Sequence, residues 1–235
     1  AEFLSLKYRI SREQQDDFAL RSHLGAAAAN ERANRADEIV PMWGRDETGL
    51  KFQVTQDQGY RKDTSKEALA GLRPVFNPAT GSVTAGNSSQ ISVGAAATLL
   101  MSEDKAKELG IKPLAKVRAM GTAGVAPEEM GIGPVPAIHK ALKRAGVKLD
   151  DVGAIEINEA FAVQVLSCLK LLGIDEKRVN TRGGAVSIGH PIGASGARIT
   201  ATLLHRMRDE GIKYGIATLC VGQGQGVATL YELCD

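Results

Sequence analysis

The chain has 235 residues, 43% hydrophobic and 24% charged, which is enough apolar content for a folded core and excludes disorder along its length. Its formal net charge of +2 gives no electrostatic footprint for nucleic acid, and no apolar run approaches the roughly 18 residues of a membrane-spanning helix. Three cysteines, none in a C-x-x-C pair, argue for free thiols in a reducing compartment, while 26 glycines exceed the usual share of about 7% and mark close backbone approaches.

The opening stretch, residues 1–10, lacks a Met and is already apolar-periodic, so it reads as the cut edge of a longer chain. Ser11 with Gln14 three residues on forms a capping-box pattern and predicts a helix over 12–29. Residues 44–66 are polar and turn-rich and read as an exposed loop excursion or a disordered linker. Trp43, just before it, is expected to be a local hydrophobic anchor. A small-residue helix is expected over 93–101, then a second one capped by Ser102 and stopped at Gly110. Residues 115–119 read as a strand. Pro136 should start a helix with Ile138, Ala141, Leu142 and Ala145 on one face and Gly146 past its end. A short strand over 154–157 and a helix through Phe161, Val165, Leu169 and Leu172 follow. A glycine-rich loop over 183–196 leads into a helix through Ile199, Leu203 and Met207. Two strand-like runs, YGIATLC and GVATLYEL, complete the chain. Strands alternating with helices, followed by two strands, indicate a layered α/β domain.

Four stretches carry candidate chemistry. Asn158-Glu159-Ala160-Phe161 directly follows a strand, where ligands are met in open α/β sheets; Asn158 would either serve there or cap the next helix. His190 lies in Gly189-His190-Pro191-Ile192-Gly193-Ala194-Ser195-Gly196, a glycine-rich loop at a helix start. Ser195 there is not in a G-x-S-x-G elbow, so a hydrolase nucleophile is not indicated. Cys220-Val221-Gly222-Gln223-Gly224-Gln225-Gly226 lacks the helix and acidic residue of a dinucleotide fingerprint. It leaves a cysteine at a strand end beside a turn whose amides could face a developing negative charge, or else an inert buried thiol. Thr84-Ala85-Gly86-Asn87-Ser88-Ser89-Gln90 offers small polar side chains to a ligand or to a helix cap. His23, His139 and His205 show no ligand spacing, so no metal is proposed.

In this order and spacing, GPVPAI, NEAFA, GGAVSIGHPIGASG and CVGQGQG resemble the thiolases. TAGNSSQ and DTSKEALAGLRPVF resemble the degradative 3-ketoacyl-CoA thiolases in particular. The resemblance implies a thiolase-like layered α/β/α domain, a mixed sheet covered by helices, over 83–235, preceded over 1–82 by part of a loop domain that covers CoA. The activity implied is acyl transfer from 3-ketoacyl-CoA to CoA, releasing acetyl-CoA, as in fatty-acid β-oxidation. Cys220 matches the family's acid/base cysteine. His190 matches the histidine that activates the nucleophile and lines an oxyanion hole, and Asn158 the asparagine that holds that hole's water. The amide of Gly222 matches a donor of the second hole. Ser89 and Arg61 match positions contacting the pantetheine and nucleotide ends of CoA, though Arg61 also reads as a plain solvated arginine.

The family's nucleophilic cysteine matches neither Cys168 nor Cys234. The chain is therefore expected to be the C-terminal portion of such an enzyme, partnered by the missing N-terminal half and inactive by itself. CoA is expected as a substrate, with no tightly bound cofactor. The resemblance also implies a homo-oligomer, a hydratase/dehydrogenase partner subunit as in some members, and a cytoplasmic location if the source is bacterial, with mitochondrial or peroxisomal locations as the alternatives. The alternatives are a biosynthetic acetoacetyl-CoA thiolase and a non-catalytic CoA-binding or assembly chain. Val93 stands where the family usually has aspartate, which is expected to alter hydrogen bonding at the start of the 93–101 helix. Gln223 fills a position often held by glycine or an aliphatic residue.

Overall fold

The Ser11 hydroxyl accepts a hydrogen bond from the Gln14 amide at 3.1 Å, and the Gln14 side chain accepts one from the Ser11 amide at 2.8 Å. This reciprocal box satisfies two amides that a helix start would otherwise leave unpaired, and it starts α2, Arg12–Glu31. The short helix α1, Glu2–Tyr8, precedes it. The structure, a computed structural model, describes residues 1–32 and 37–234.

The polar excursion contains a hairpin of β1, Met42–Arg45, and β2, Lys51–Val54. Its turn is built by Asp46, whose carboxylate accepts from the Thr48 amide and hydroxyl and the Leu50 amide, and by Gly49 at φ 84°. Trp43 is 71% exposed on this hairpin, so it anchors nothing, contrary to the expectation. Helix α3, Lys66–Ala70, is capped by Ser65 and seats Leu69 against Ala19 and Val186.

The helix expected over 93–101 does not form: residues 89–102 are neither helix nor strand. Ile91, Val93, Leu99 and Leu100 all point outward. Small-residue propensity alone does not sustain a short helix when no face of it is buried. Val93 therefore alters no helix start. Helix α4, Glu103–Glu108, follows with Ser102 as cap, and Gly110 past its end takes φ 65°.

The main sheet has the order β3–β6–β5–β4, from β3, Ala115–Gly124, β4, Ala154–Ile157, β5, Tyr214–Val221, and β6, Gln225–Leu233. β4 and β5 run parallel and the other pairs antiparallel. β3 is longer than expected because β6 pairs along its length, past an irregularity between Val117 and Ala119. Strand alternation divides the apolar residues between two faces. Ile155, Ile157, Ile216, Ala228 and Leu230 pack on α5, Pro134–Ala145, and α6, Ala162–Leu172. Ala154, Ala217, Leu219, Tyr231 and Leu233 pack on α8, Ser195–Glu210, through Ile199, Leu203 and Met207. The result is the expected three-layer α/β/α arrangement on a mixed sheet. Pro134, not Pro136, opens α5, as a residue without an N–H suits a helix start. Phe18 of α2 is buried in the same core as α5 and α6.

Glycine sets the spacing between α5 and the sheet. A Cβ on Gly226 of β6 would lie 2.0 Å from the Gly133 carbonyl oxygen, and one on Gly121 of β3 would lie 2.1 Å from that of Ala137. The obstacle is backbone in both cases, so no side-chain rotation relieves it. Gly226→Ala is expected to destabilise the fold by at least about 1–3 kcal/mol, read as a lower denaturant midpoint. An unchanged midpoint would mean that α5 can move off the sheet without cost.

Candidate active site

Asn158 follows β4, and its amide donates to the Thr218 carbonyl of β5 at 3.0 Å. That bond fixes Asn158 beside the end of β5 that carries Cys220 two residues later. The side chain is fully buried, and neither Oδ1 nor Nδ2 has a hydrogen-bond partner among the described residues. Buried side-chain amides without partners are rare, which sets Asn158 apart from the other buried polar residues of the sheet. The capping role is not seen: the cap residue of α6 is Phe161, with no side-chain cap.

His190 follows the one-turn helix α7, Ala185–Ile188, and Gly189 at φ 95°. Its Nδ1 lies 2.6 Å from the Ser195 hydroxyl oxygen. That hydroxyl is also within donating reach of the Pro191 carbonyl, at 3.0 Å. Turned to Pro191, it accepts from Nδ1–H and leaves Nε2 its lone pair; the tautomer follows the hydroxyl. Burial, reinforced by the charge of Arg198, holds the imidazole pKa below its ordinary value of 6.5. The ring is therefore a neutral base near pH 7. The sequence reading dismissed Ser195 as a nucleophile and missed this orienting role. Its spacing of five residues from a histidine across a proline turn was the available signal.

Cys220 is half-buried at the end of β5, and Gly222 is exposed in the turn to β6. Gln223 takes φ 66° and Gly224 φ 90° in that turn. Position 223 is thus left-handed, which accounts for glycine being suited to it. Burial pushes the Cys220 thiol up to about 11, so it carries its proton at neutral pH. Cys168 is fully buried and its thiol is also pushed up by burial.

The segment around Ser89 joins these parts. Its amide donates to the Ala160 carbonyl at 3.0 Å, and Ser88 pairs with Phe161 as an antiparallel bridge. The next residue, Gln90, accepts from the His190 amide at 3.3 Å and donates through its side chain to the carbonyls of Gly59 and Ser187. Arg61 is exposed, and its amide donates to Nδ1 of buried His23 at 3.1 Å. Asn87 braces the segment through Asp16, Thr84 and Ser82, in place of capping a helix. Asn158, His190 and Ser89 are thereby brought together, and the base of the Arg61 loop is fastened to the same segment. Cys220 lies on β5 two residues past Thr218, whose carbonyl accepts from the Asn158 amide. Among the described residues, no group of three His, Cys, Asp or Glu side chains is placed to hold a metal.

A model described as the N-terminal domain of thiolase matches residues 1–104, and one described as the C-terminal domain of thiolase matches residues 111–233. Residues matching both domain models are therefore present. The chain is 53% identical over 235 residues to the 3-ketoacyl-CoA thiolase of Idiomarina loihiensis, an alignment covering 99% of this chain and 61% of that protein. It spans about 61% of the length of the curated relatives it matches. Among solved structures it resembles the acetyl-CoA acetyltransferase of Bacillus anthracis, with a TM-score of 0.96 and 47% identity, over 99% of this chain and 59% of that one. It also resembles human mitochondrial 3-ketoacyl-CoA thiolase in complex with CoA, with a TM-score of 0.89 and 40% identity, over 100% and 58% of the two chains.

Proposed function

The chain belongs to the thiolase family, and from that premise we propose that it carries the acid/base and oxyanion-binding side of an acyltransferase that cleaves 3-ketoacyl-CoA with CoA. The observation that supports this best is the arrangement of His190 and Asn158. A histidine whose Nδ1 is held by the Ser195 hydroxyl, leaving Nε2 for the chemistry, is fastened through Gln90 and Ser89 to the stretch bearing a buried, unpartnered Asn158. In this reading residues 1–82 contribute to covering CoA, with Ser89 and Arg61 contacting it, and residues 83–235 carry the chemistry.

The reaction begins when a cysteine thiolate, supplied by the family's other cysteine and deprotonated by His190, adds to the 3-keto carbon. The C2–C3 bond breaks and its electron pair passes to the thioester as an enolate. Cys220, protonated because its pKa is raised to about 11, gives its proton to C2 and releases acetyl-CoA. The resulting Cys220 thiolate is a stronger base than an ordinary thiolate of pKa about 8.5, so taking the proton of incoming CoA runs downhill. The CoA sulfur then displaces the acyl group from the nucleophilic cysteine. His190 and the water on Asn158 face the enolate oxygen, and the Gly222 amide faces the oxyanion of the second step.

The test is to incubate the full-length protein with acetoacetyl-CoA and CoA and to measure whether each acetoacetyl-CoA lost yields two acetyl-CoA. Absence of acetyl-CoA would overturn the proposal. The similarity to the acetyl-CoA acetyltransferase of Bacillus anthracis favours a second reading, the condensation of two acetyl-CoA. Comparing acetoacetyl-CoA with longer 3-ketoacyl-CoA substrates separates the two. Ser195→Ala is expected to lower kcat about tenfold, because Nδ1 loses its hydrogen-bond partner and the ring is no longer held in one orientation. An unchanged kcat would show that another group orients the ring.

A further inference from the structure

Glu159 is a fully buried carboxylate that the chemistry above leaves without a role. Its Oε1 accepts from Asn180 Nδ2 at 2.8 Å, and its Oε2 accepts from the Ser22 hydroxyl at 2.7 Å and the Val186 amide at 3.1 Å. The three donors come from different places. Asn180 is locked to the end of β4, accepting from the Ile157 amide at 2.9 Å and donating to the Ile157 carbonyl at 2.7 Å. Ser22 belongs to α2, and Val186 lies in α7, four residues before His190. Ser22 also accepts from the Gly184 amide at 3.1 Å and contacts the Ser187 hydroxyl at 3.0 Å. The fit is close: a Cβ on Gly184 would lie 2.4 Å from Glu159 Oε1.

Glu159 is thus covalently next to Asn158 and hydrogen-bonded to the helix that delivers His190. We propose that Glu159 is a positioning residue that sets Asn158 and His190 relative to each other, resting on the acyl-transfer reading for its consequence in catalysis. A carboxylate is required because all its partners donate. Glutamine would turn an N–H toward one of them, and Asn180 cannot flip to accept it because both its polar atoms are engaged with Ile157.

The test uses the full-length protein with Glu159→Gln and, as a milder variant, Ser22→Ala. In E159Q the crystal structure should show the His190 ring displaced from Asn158 by about 1 Å, a shift that costs about 100-fold in kcat. The KM for CoA should stay within about twofold, since no CoA contact is lost. S22A, removing one bond to the carboxylate, should lower kcat about tenfold. Combining either variant with Asn158→Ala should give less than the product of the single effects, because both act on one oxyanion hole. A lowered Tm with unmoved His190 and unchanged kcat, or fully multiplicative double variants, would overturn the proposal. If E159Q does not fold, S22A and its double variant decide it. The ring displacement is read without turnover, so an inactive wild type would overturn the acyl-transfer reading while the structures still judge Glu159.

Discussion

Cys220→Ser in the full-length protein is expected to lower overall thiolysis by about 100- to 10,000-fold while acylation of the other cysteine stays measurable. Serine keeps the size and the position at the end of β5, so the sheet should be unaffected. What changes is the acid strength. A hydroxyl is a far weaker acid than a thiol, even one raised to about 11 by burial, so protonation of C2 loses its driving force. The nucleophile is a separate group and can still receive an acyl group from a reactive acyl-CoA. Mass spectrometry for the acyl adduct and a steady-state assay separate the two functions. Normal turnover would remove Cys220 from the mechanism.

His190→Ala should cost more than Asn158→Ala. Losing one oxyanion donor costs about 3 kcal/mol, and losing a general base adds about 100- to 10,000-fold. In the proposed mechanism Asn158 contributes only to an oxyanion site, so its removal should cost no more than the first of these. The pH profile gives an independent check. The imidazole pKa is held below 6.5, so the wild-type rate should fall only as pH drops below that value, where the ring gains a proton and ceases to be a base. In His190→Ala that acid limb should vanish. An equal or reversed ranking of the two variants would leave His190 with a single role.

Elements that carry their own local signal were legible in the sequence. The Ser11–Gln14 box, the Ser102 cap and the glycine past α5 act within a few residues, and each appears where expected. The segment 93–101 failed for the opposite reason. Its small apolar residues fit a helix, but whether a helix forms depends on a packing face that local composition does not encode. Trp43 misled likewise, because a large apolar residue implies burial only when something covers it. At the candidate site, motif and position single out Asn158, His190 and Cys220 in the sequence. Ser195 and Glu159 were not, because their roles arise from contacts. One is a hydroxyl turned back on the histidine, and the other a carboxylate whose donors come from α2, α7 and Asn180.

The pairing of β3 with β6 joins Ala115 to Leu233 and Gly124 to Gln225. A chain leaving the ribosome must therefore hold β3 unpaired for about a hundred residues of synthesis before its partner exists. During that interval β3 is an open edge able to capture any extended segment nearby, its own or a neighbour's. β5 lies next to β6, so Cys220 gains its finished surroundings only when that pairing closes. The Cys220 thiol thus stays open to oxidants and to other nascent chains until β6 has been made and paired, so part of its chemical exposure falls before this sheet has folded.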